Sequence, residues 1–199
     1  MIPGTQLLAH PKAYLFWQGK FAEQKLEPMY AHNDLSRVRR VLDVGCGPGT
    51  NTRHFASAGY LGVDVNPEYI QYARRRYHRD FLAADVCDYT APAGEKYDFI
   101  LLNSFLHHVD LVSTRRILSH LSTLLTEDGH VHIIEMVMPE RERLVRQLAR
   151  WDRGRYIRPL AEWNDIFSES FEPVVFEPFW LTRLGVKLWN VVYFKGSAR

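Results

Sequence analysis

Three glycines at alternate positions follow an apolar run that begins at Val41, and they are the residues of this chain best suited to shape a binding site. They lie in the segment Asp43-Val44-Gly45-Cys46-Gly47-Pro48-Gly49. Glycine has no Cβ, so it adopts positive φ and lets a ligand contact the main chain. A loop of this kind at the end of a strand is typical of a site for a nucleotide-like ligand.

Two carboxylates further along the chain narrow the ligand. Asp64 ends the second predicted strand, where the strand tip of a doubly wound sheet faces a ribose and can accept from both ribose hydroxyls. Asp85 follows the third predicted strand and can accept from an exocyclic amine such as that of adenine. Asp43 lies inside the first strand, where a charge is costly unless backbone N–H groups or a cationic ligand stabilise it. These positions predict an adenosine-containing ligand.

Short apolar runs alternate with helix-like segments from Arg40 to Met136, which predicts βα units, a parallel sheet and helices on both of its faces. The predicted strands are Arg40–Val44, Tyr60–Val65, Phe81–Ala84, Tyr97–Leu102 and His130–Met136. The predicted helices of this region are Thr50–Ser57, Pro67–Tyr77 and Ser113–Leu125.

Further elements are predicted on both sides of this core. An amphipathic helix is predicted for Lys12–Met29, because Tyr14, Trp17 and Phe21 fall on one face at helical spacing. Beyond the core, helices are predicted for Glu140–Arg150 and Leu160–Ser168. Two aromatic and β-branched runs, Phe171–Phe176 and Lys187–Phe194, are expected to form an antiparallel pair at the sheet edge.

Length and composition favour a single soluble domain. The chain has 199 residues, with 46% hydrophobic and 24% charged residues, and it has no apolar run of the roughly 20 residues that a membrane-spanning helix needs. No secretory signal is evident, and two cysteines favour a reducing cytoplasmic compartment. The net charge of +2 argues against a dedicated nucleic-acid binder. We expect a cytoplasmic monomer or homodimer.

Taken together, these residues resemble the class I S-adenosylmethionine-dependent methyltransferases over Arg40 to Glu135, about half of the chain. The resemblance implies an α/β, Rossmann-like, doubly wound sheet of seven strands in the order 3-2-1-4-5-7-6, with the last strand antiparallel. It implies one domain, divided into an N-terminal helical lid (1–39), a cofactor-binding core (40–136), a substrate-side insertion (137–170) and C-terminal edge strands (171–199). The glycines run Gly-x-Gly-x-Gly rather than the Gly-x-Gly-x-x-Gly of nicotinamide enzymes.

The resemblance also implies a role for individual residues toward S-adenosylmethionine. The run Tyr97–Ser104, which includes Asn103, resembles the fourth strand of the family, whose tip would lie beside the reactive methyl group. The methionine part of the cofactor would be held by Asp43, Gly45, Cys46, Gly47 and Gly49. The ribose would be held by Asp64, with Val65 beside it. The adenine would be held by the side chain of Asp85 and the backbone of Val86.

Two histidines follow the fourth predicted strand and could remove a proton from a methyl acceptor. His107 and His108 lie at the carboxyl edge of the sheet, and histidine titrates near neutral pH. The alternative is that one or both orient the loop. No spaced third ligand accompanies them, so no metal site is predicted. Glu135, at the end of the fifth strand, either contacts the substrate or is structural.

The acceptor is less well defined by the sequence. Asn103-Ser104-Phe105-Leu106 departs from the Asn/Asp-Pro-Pro-Tyr/Phe tetrapeptide used on amide or adenine nitrogens, which counts against those acceptors. Seven arginines between Glu140 and Arg158 form either a clamp for a carboxylate or phosphate or a solvated helix face. We expect methyl transfer to an O or N atom of a small, partly hydrophobic molecule. The alternatives are an RNA methyltransferase and a cofactor-binding protein without transfer activity.

Overall fold

Seven strands form one mixed sheet in the computed structural model, which describes residues 21–139 and 155–199. The strands are β1 (Arg40–Val44), β2 (Gly59–Asp64), β3 (Asp80–Ala83), β4 (Tyr97–Asn103), β5 (Leu125–Met136), β6 (Phe171–Arg183) and β7 (Val186–Ala198). Their order across the sheet is β3-β2-β1-β4-β5-β7-β6. The first five strands pair in parallel, and β7 is antiparallel to both β5 and β6. The predicted fold class, strand order and antiparallel last strand are confirmed.

Four α-helices cover the described part of the sheet: α1 (Ala22–Ala31), α2 (Pro67–Arg76), α3 (Leu111–Thr123) and α4 (Leu160–Ser170). The side chain of Asn66 caps α2 by accepting from the Glu68 amide at 2.9 Å, and Pro67 occupies the first turn, where a missing N–H costs nothing. Asp110 caps α3 in the same way. The predicted helix over 50–57 is a 3₁₀ helix, Thr50–Phe55.

Alternation along each strand divides the core between the two faces of the sheet. Leu42 and Val44 of β1 pack in the cluster that contains α3 and α4 residues, whereas Val41 packs in the cluster formed with α1 and α2. Successive strand residues point to opposite faces, so Asp43 shares the α1 and α2 face with Val41. By the same rule Glu135 of β5 lies on the α3 and α4 face. Two carboxylates are thereby buried on opposite sides of one sheet.

The edge hairpin extends beyond the two runs predicted for it. Pro173 and Pro178 both lie inside β6, which borders β7 on one side only. An edge strand tolerates proline, because one row of its N–H groups needs no partner strand. α1 is joined to this hairpin by Gln24, whose Oε1 accepts from the Thr182 amide at 2.9 Å. The helix α1 is therefore fixed to the edge hairpin.

Several predicted elements lie outside the described residues. These are the Glu140–Arg150 helix and the first part of the Lys12–Met29 helix, which includes Tyr14 and Trp17. Within the described ranges, no helix is long and apolar enough to cross a membrane.

Candidate functional site

The loop after β1 has the backbone that its glycines predict. Gly45, Gly47 and Gly49 have φ values of +66°, +54° and +82°, a region that side chains strongly disfavour. The amides of Gly45 and Cys46 both donate to the carbonyl of Val63, at 2.8 and 3.1 Å. The loop is thus held against the end of β2, with its backbone bent around the tip of β1.

Asp64 and Asp85 lie at the tips of neighbouring strands, as predicted. Asp64 pairs with Ala83 at the end of β3, and Asp85 follows two residues later. Asp64 accepts from the Gly47 amide at 2.9 Å through Oδ2 and from the Asn66 amide at 2.8 Å through Oδ1. Burial raises the pKa of Asp64 above its ordinary value, against the lowering effect of these two amides.

This donor and acceptor set fits an adenosine. A carboxylate offers about four acceptor positions, so the two amides leave both oxygens of Asp64 able to accept from ribose hydroxyls. Asp85 is exposed and uses Oδ1 to accept from the Cys87 amide at 2.9 Å, which leaves its other oxygen for an amine. Val65 is 69% exposed beside Asp64, and Val86 is buried. The sugar and base positions implied by the sequence are therefore adjacent and accessible.

Asp43 is fully buried and bound by two side chains. Asn51 Nδ2 lies 3.2 and 3.1 Å from its two carboxylate oxygens, and the Tyr60 hydroxyl donates to Oδ2 at 2.5 Å. Burial raises the pKa of Asp43 to about 7, although both hydrogen bonds act to lower it. Asn103 at the tip of β4 donates to Asn51 Oδ1 at 3.2 Å. Asn51 thus stands between Asp43 and the strand tips.

Cys46 is the buried thiol of the loop. Burial is the main cause that raises the pKa of Cys46 far above its ordinary value. It therefore stays protonated at neutral pH and is a packing residue rather than a nucleophile.

A cleft opens beside the glycine loop, between α1 and the Thr50–Phe55 helix. Lys25 of α1 is one of its lining residues, and its Nζ donates to Ser104 Oγ at 3.0 Å. Sequence analysis assigned no role to Lys25, because the contact joins residues 79 positions apart. The cleft is lined by Ala22, Lys25, Leu26, Gly45, Cys46, Thr50, Asn51, Arg53, His54 and Asn103.

His107 and His108 lie together after β4, but in different environments. Their ring centroids are 4.1 Å apart. The side chain of His108 is exposed, whereas His107 is buried and its Nδ1 lies 2.6 Å from Oε2 of Glu135. The other oxygen of Glu135 accepts from the amides of Phe105 and Leu106. Burial acts to raise the pKa of Glu135, but His107 and the two amides outweigh it and lower that pKa.

The ionised carboxylate of Glu135 fixes the histidine tautomer. A carboxylate can only accept, so Nδ1 of His107 carries the proton, and in the neutral ring Nε2 is the basic nitrogen. Glu135, which sequence reasoning left undecided between substrate contact and structure, holds the loop that carries both histidines.

Arg158, which lies just before α4, supports the same loop. Its guanidinium donates to the carbonyls of Tyr156 and Val109, each at 3.0 Å, and its carbon lies 4.7 Å from the ring centre of Trp163. Arg158 is only 5% exposed. The predicted alternative of a solvated helix face therefore does not apply to Arg158. The arginines at positions 141–153 lie outside the described residues.

The comparisons with known proteins agree with this geometry. A family model described as a methyltransferase domain matches residues 41–129. The N-methyltransferase NodS of Bradyrhizobium japonicum, solved in complex with S-adenosylhomocysteine, aligns with a TM-score of 0.68 at 18% identity, over 89% of this chain and 86% of that chain. These matches support the predicted class I S-adenosylmethionine-dependent methyltransferase family, whose cofactor is S-adenosylmethionine.

Curated relatives of this methyltransferase domain include trans-aconitate 2-methyltransferases. The protein of Paracidovorax citrulli is 31% identical over 98 residues, which are 45% of this chain and 38% of that protein. The protein of Afipia carboxidovorans is 27% identical over 144 residues, which are 66% of this chain and 54% of that protein. The chain thus spans about half or less of the length of these relatives.

No cluster of three or more metal-ligating side chains occurs in residues 21–139 and 155–199.

Proposed function

We propose that this chain transfers the methyl group of S-adenosylmethionine to an oxygen or nitrogen atom of a small, partly hydrophobic molecule. The observation that carries the proposal is the position of Asp64 and Asp85 at neighbouring strand tips above a loop of left-handed glycines. That arrangement offers hydrogen-bond acceptors for one sugar and one base over exposed main chain.

The cofactor supplies an electrophilic methyl group on a sulfonium, and the chain supplies its position. Asp64 would hold the ribose, Asp85 and the Val86 backbone the adenine, and Gly45, Cys46, Gly47 and Gly49 the methionine part. Asp43 acts through Asn51, which it orients toward the tip of β4 and Asn103. Alignment of nucleophile, methyl and sulfur would provide much of the rate enhancement.

His107 is the better placed of the two histidines for a base with a fixed tautomer. Glu135 accepts from Nδ1, so Nε2 is the basic nitrogen of the neutral ring. An adjacent carboxylate that orients an imidazole is a recurrent arrangement for proton removal. His108 is exposed on the same loop and would contact the acceptor from solvent. A hydroxyl or an ammonium acceptor requires such a base.

The curated relatives favour an acidic acceptor. Trans-aconitate is a tricarboxylate, and a carboxylate ionised at neutral pH has no proton to lose before it attacks. If this chain methylates such an acid, His107 would position the loop without removing a proton. A hydroxyl or ammonium acceptor therefore requires His107 as a base, whereas a carboxylate acceptor does not.

The test combines binding with turnover. S-adenosylhomocysteine should bind the purified protein in calorimetry, and radiolabelled S-adenosylmethionine should transfer label to one member of a panel of small phenols, amines and carboxylic acids that includes trans-aconitate. Binding without transfer across the panel would favour a cofactor-binding protein. Label in total RNA, lost steeply as salt rises, would instead favour an RNA methyltransferase.

A further inference from the structure

The hairpin of β6 and β7 projects past the tip of β5, at the edge of the sheet that carries the candidate site. Pairing of β7 with β5 ends at Val191 and Met136, which is the last residue of β5. The residues Val186–Asn190 continue beyond that tip, and at about 3.3 Å per residue they extend roughly 16 Å past it. Gln24 of α1 holds this part of the hairpin, because its Nε2 donates to Thr182 Oγ1 at 3.2 Å and its Oε1 accepts from the Thr182 amide.

The tip of the hairpin is a two-residue turn with an unfavourable residue at its first position. Leu184 and Gly185 connect the paired residues Arg183 and Val186 and have φ values of +50° and +77°. A turn with positive φ at both positions favours asparagine and glycine, and a leucine in this conformation is strained. The side chain of Leu184 is also 97% exposed. An exposed apolar residue held in a strained conformation indicates a binding surface.

The sequence around this turn carries only positive charge. Arg183 and Lys187 flank the turn, and both residues are exposed. From position 178 to 199 the sequence contains two lysines, two arginines and no aspartate or glutamate. A second copy of the hairpin would bring like charges together, and Pro173 and Pro178 in β6 oppose pairing between edge strands. The charges therefore favour a negatively charged surface as the partner.

The side chains of the tip are of the types that enter the surface of a bilayer. Val186 is 59% exposed, and Lys187 Nζ lies 4.9 Å from the centre of the partly exposed Trp180 ring. Aliphatic side chains gain free energy by leaving water, and tryptophan concentrates at the level of the lipid headgroups. Long cationic side chains keep their charge at the headgroups while their stems contact apolar groups.

We propose that the hairpin tip Arg183–Lys187 docks this chain onto an anionic lipid bilayer, with Leu184 and Val186 entering the headgroup layer and the two cations contacting lipid phosphates. The proposal goes beyond the proposed function and holds whichever acceptor is methylated. Because the tip projects at the edge where β4 and β5 end, docking would turn the mouth of the candidate site toward the bilayer. Such docking needs contact with one membrane surface only.

Vesicle sedimentation tests the proposal. Vesicles of phosphatidylcholine alone are compared with vesicles of equal parts phosphatidylcholine and phosphatidylglycerol, at low and at physiological salt. At about fivefold per cation near an anionic surface, the wild type should bind the anionic vesicles roughly 25-fold more tightly than the neutral ones. That binding should weaken as salt rises.

Leu184→Asn is the decisive variant, because asparagine tolerates positive φ and the folded state should lose no stability in urea denaturation. Without the apolar side chain, binding to the anionic vesicles should weaken about tenfold. Val174→Asn, which replaces an exposed valine near the other end of β6, is the matched control and should leave binding unchanged. Lys187→Gln should weaken anionic binding about fivefold, whereas Arg75→Gln, at an exposed position of α2, should not.

Two results would overturn the proposal. A wild type that does not bind anionic vesicles at low salt excludes the bilayer as the partner, and self-association lost in Leu184→Asn would then make the tip an interface between copies. Equal binding of anionic vesicles by the wild type and Leu184→Asn would assign the binding to another surface. Affinity for S-adenosylhomocysteine, measured in parallel, should be the same in every variant, so a failure of the cofactor site is detected separately.

Discussion

His107 Nδ1 lies 2.6 Å from Glu135 Oε2, and both side chains are almost completely buried. The pair joins the loop after β4 to the neighbouring strand β5, on the face of the sheet that carries α3 and α4. Since the second oxygen of Glu135 accepts from two loop amides, one carboxylate fixes both the backbone and the tautomer of the proposed base.

The first prediction concerns His107→Gln. Glutamine can still donate to Glu135, so the fold and the affinity for S-adenosylhomocysteine should be retained, whereas a glutamine cannot accept a proton. We expect turnover of a hydroxyl or amine acceptor to fall by about 10²- to 10⁴-fold, and turnover of a carboxylate acceptor to change little. Initial rates on the acceptor panel measure this.

His120→Gln is the matched control for that substitution, because His120 lies on α3 and its Nε2 is hydrogen-bonded to the Tyr89 carbonyl. Its turnover should equal that of the wild type. Equal rates for His107→Gln and the wild type on a hydroxyl acceptor would contradict the assignment of His107 as the base.

The second prediction follows from the buried charge of Asp43. Its pKa is raised from 3.8 to about 7 by burial, so between these values the folded state binds more protons than the unfolded state. The free energy of unfolding contributed by this group therefore decreases as pH rises from about 4 to about 7. Asp43→Asn removes the titration and keeps a side chain that can bond Asn51 and Tyr60.

Urea denaturation of the wild type and Asp43→Asn at pH 5, 6, 7 and 8 tests this sign. The stability of Asp43→Asn relative to the wild type should increase with pH and level off above pH 7. Histidines such as His54, whose pKa is lowered to about 4, act in the opposite direction but equally in both proteins. A difference that is constant with pH would contradict a raised pKa for Asp43.

Local patterns explain why so much of the fold could be predicted. The three glycines, Asp64 and Asp85 each follow an apolar run within a few residues, and parallel strands bring their carboxyl ends to one edge of a sheet. The strand order came from the resemblance. The bounds of β6 were predicted too short, because Pro173 and Pro178 weaken a strand pattern unless its edge position is known.

Long-range contacts explain what the sequence could not predict. Lys25 meets Ser104 across 79 residues, and Arg158 meets the carbonyl of Val109 across 49. Neither side chain differs in type from the many exposed lysines and arginines of the chain. Their burial depends on where α1 and the segment before α4 pack. The spacing of residues within a short stretch of sequence does not predict that packing.

The third prediction tests the ribose assignment. Asp64→Ala should weaken S-adenosylhomocysteine at least about tenfold, because two charge-assisted hydrogen bonds to the sugar are lost. Asp80→Ala is the matched control, since Asp80 is exposed at the opposite end of the neighbouring strand β3. Calorimetry on both variants gives the comparison, and near wild-type affinity for Asp64→Ala would remove Asp64 from the cofactor site.

The last prediction concerns Arg158, whose guanidinium donates to the Val109 carbonyl at the end of the histidine loop and to the Tyr156 carbonyl of its own segment. Arg158→Met keeps apolar contact with Trp163 but leaves these carbonyls without their charged donor, so we expect the free energy of unfolding to fall by about 2 kcal/mol. Amide exchange at residues 106–109 should accelerate more than exchange in β1. Arg115→Met, which removes an exposed ion pair with Glu169, should change stability little. Unchanged exchange at 106–109 in Arg158→Met would contradict a role of Arg158 in holding the loop.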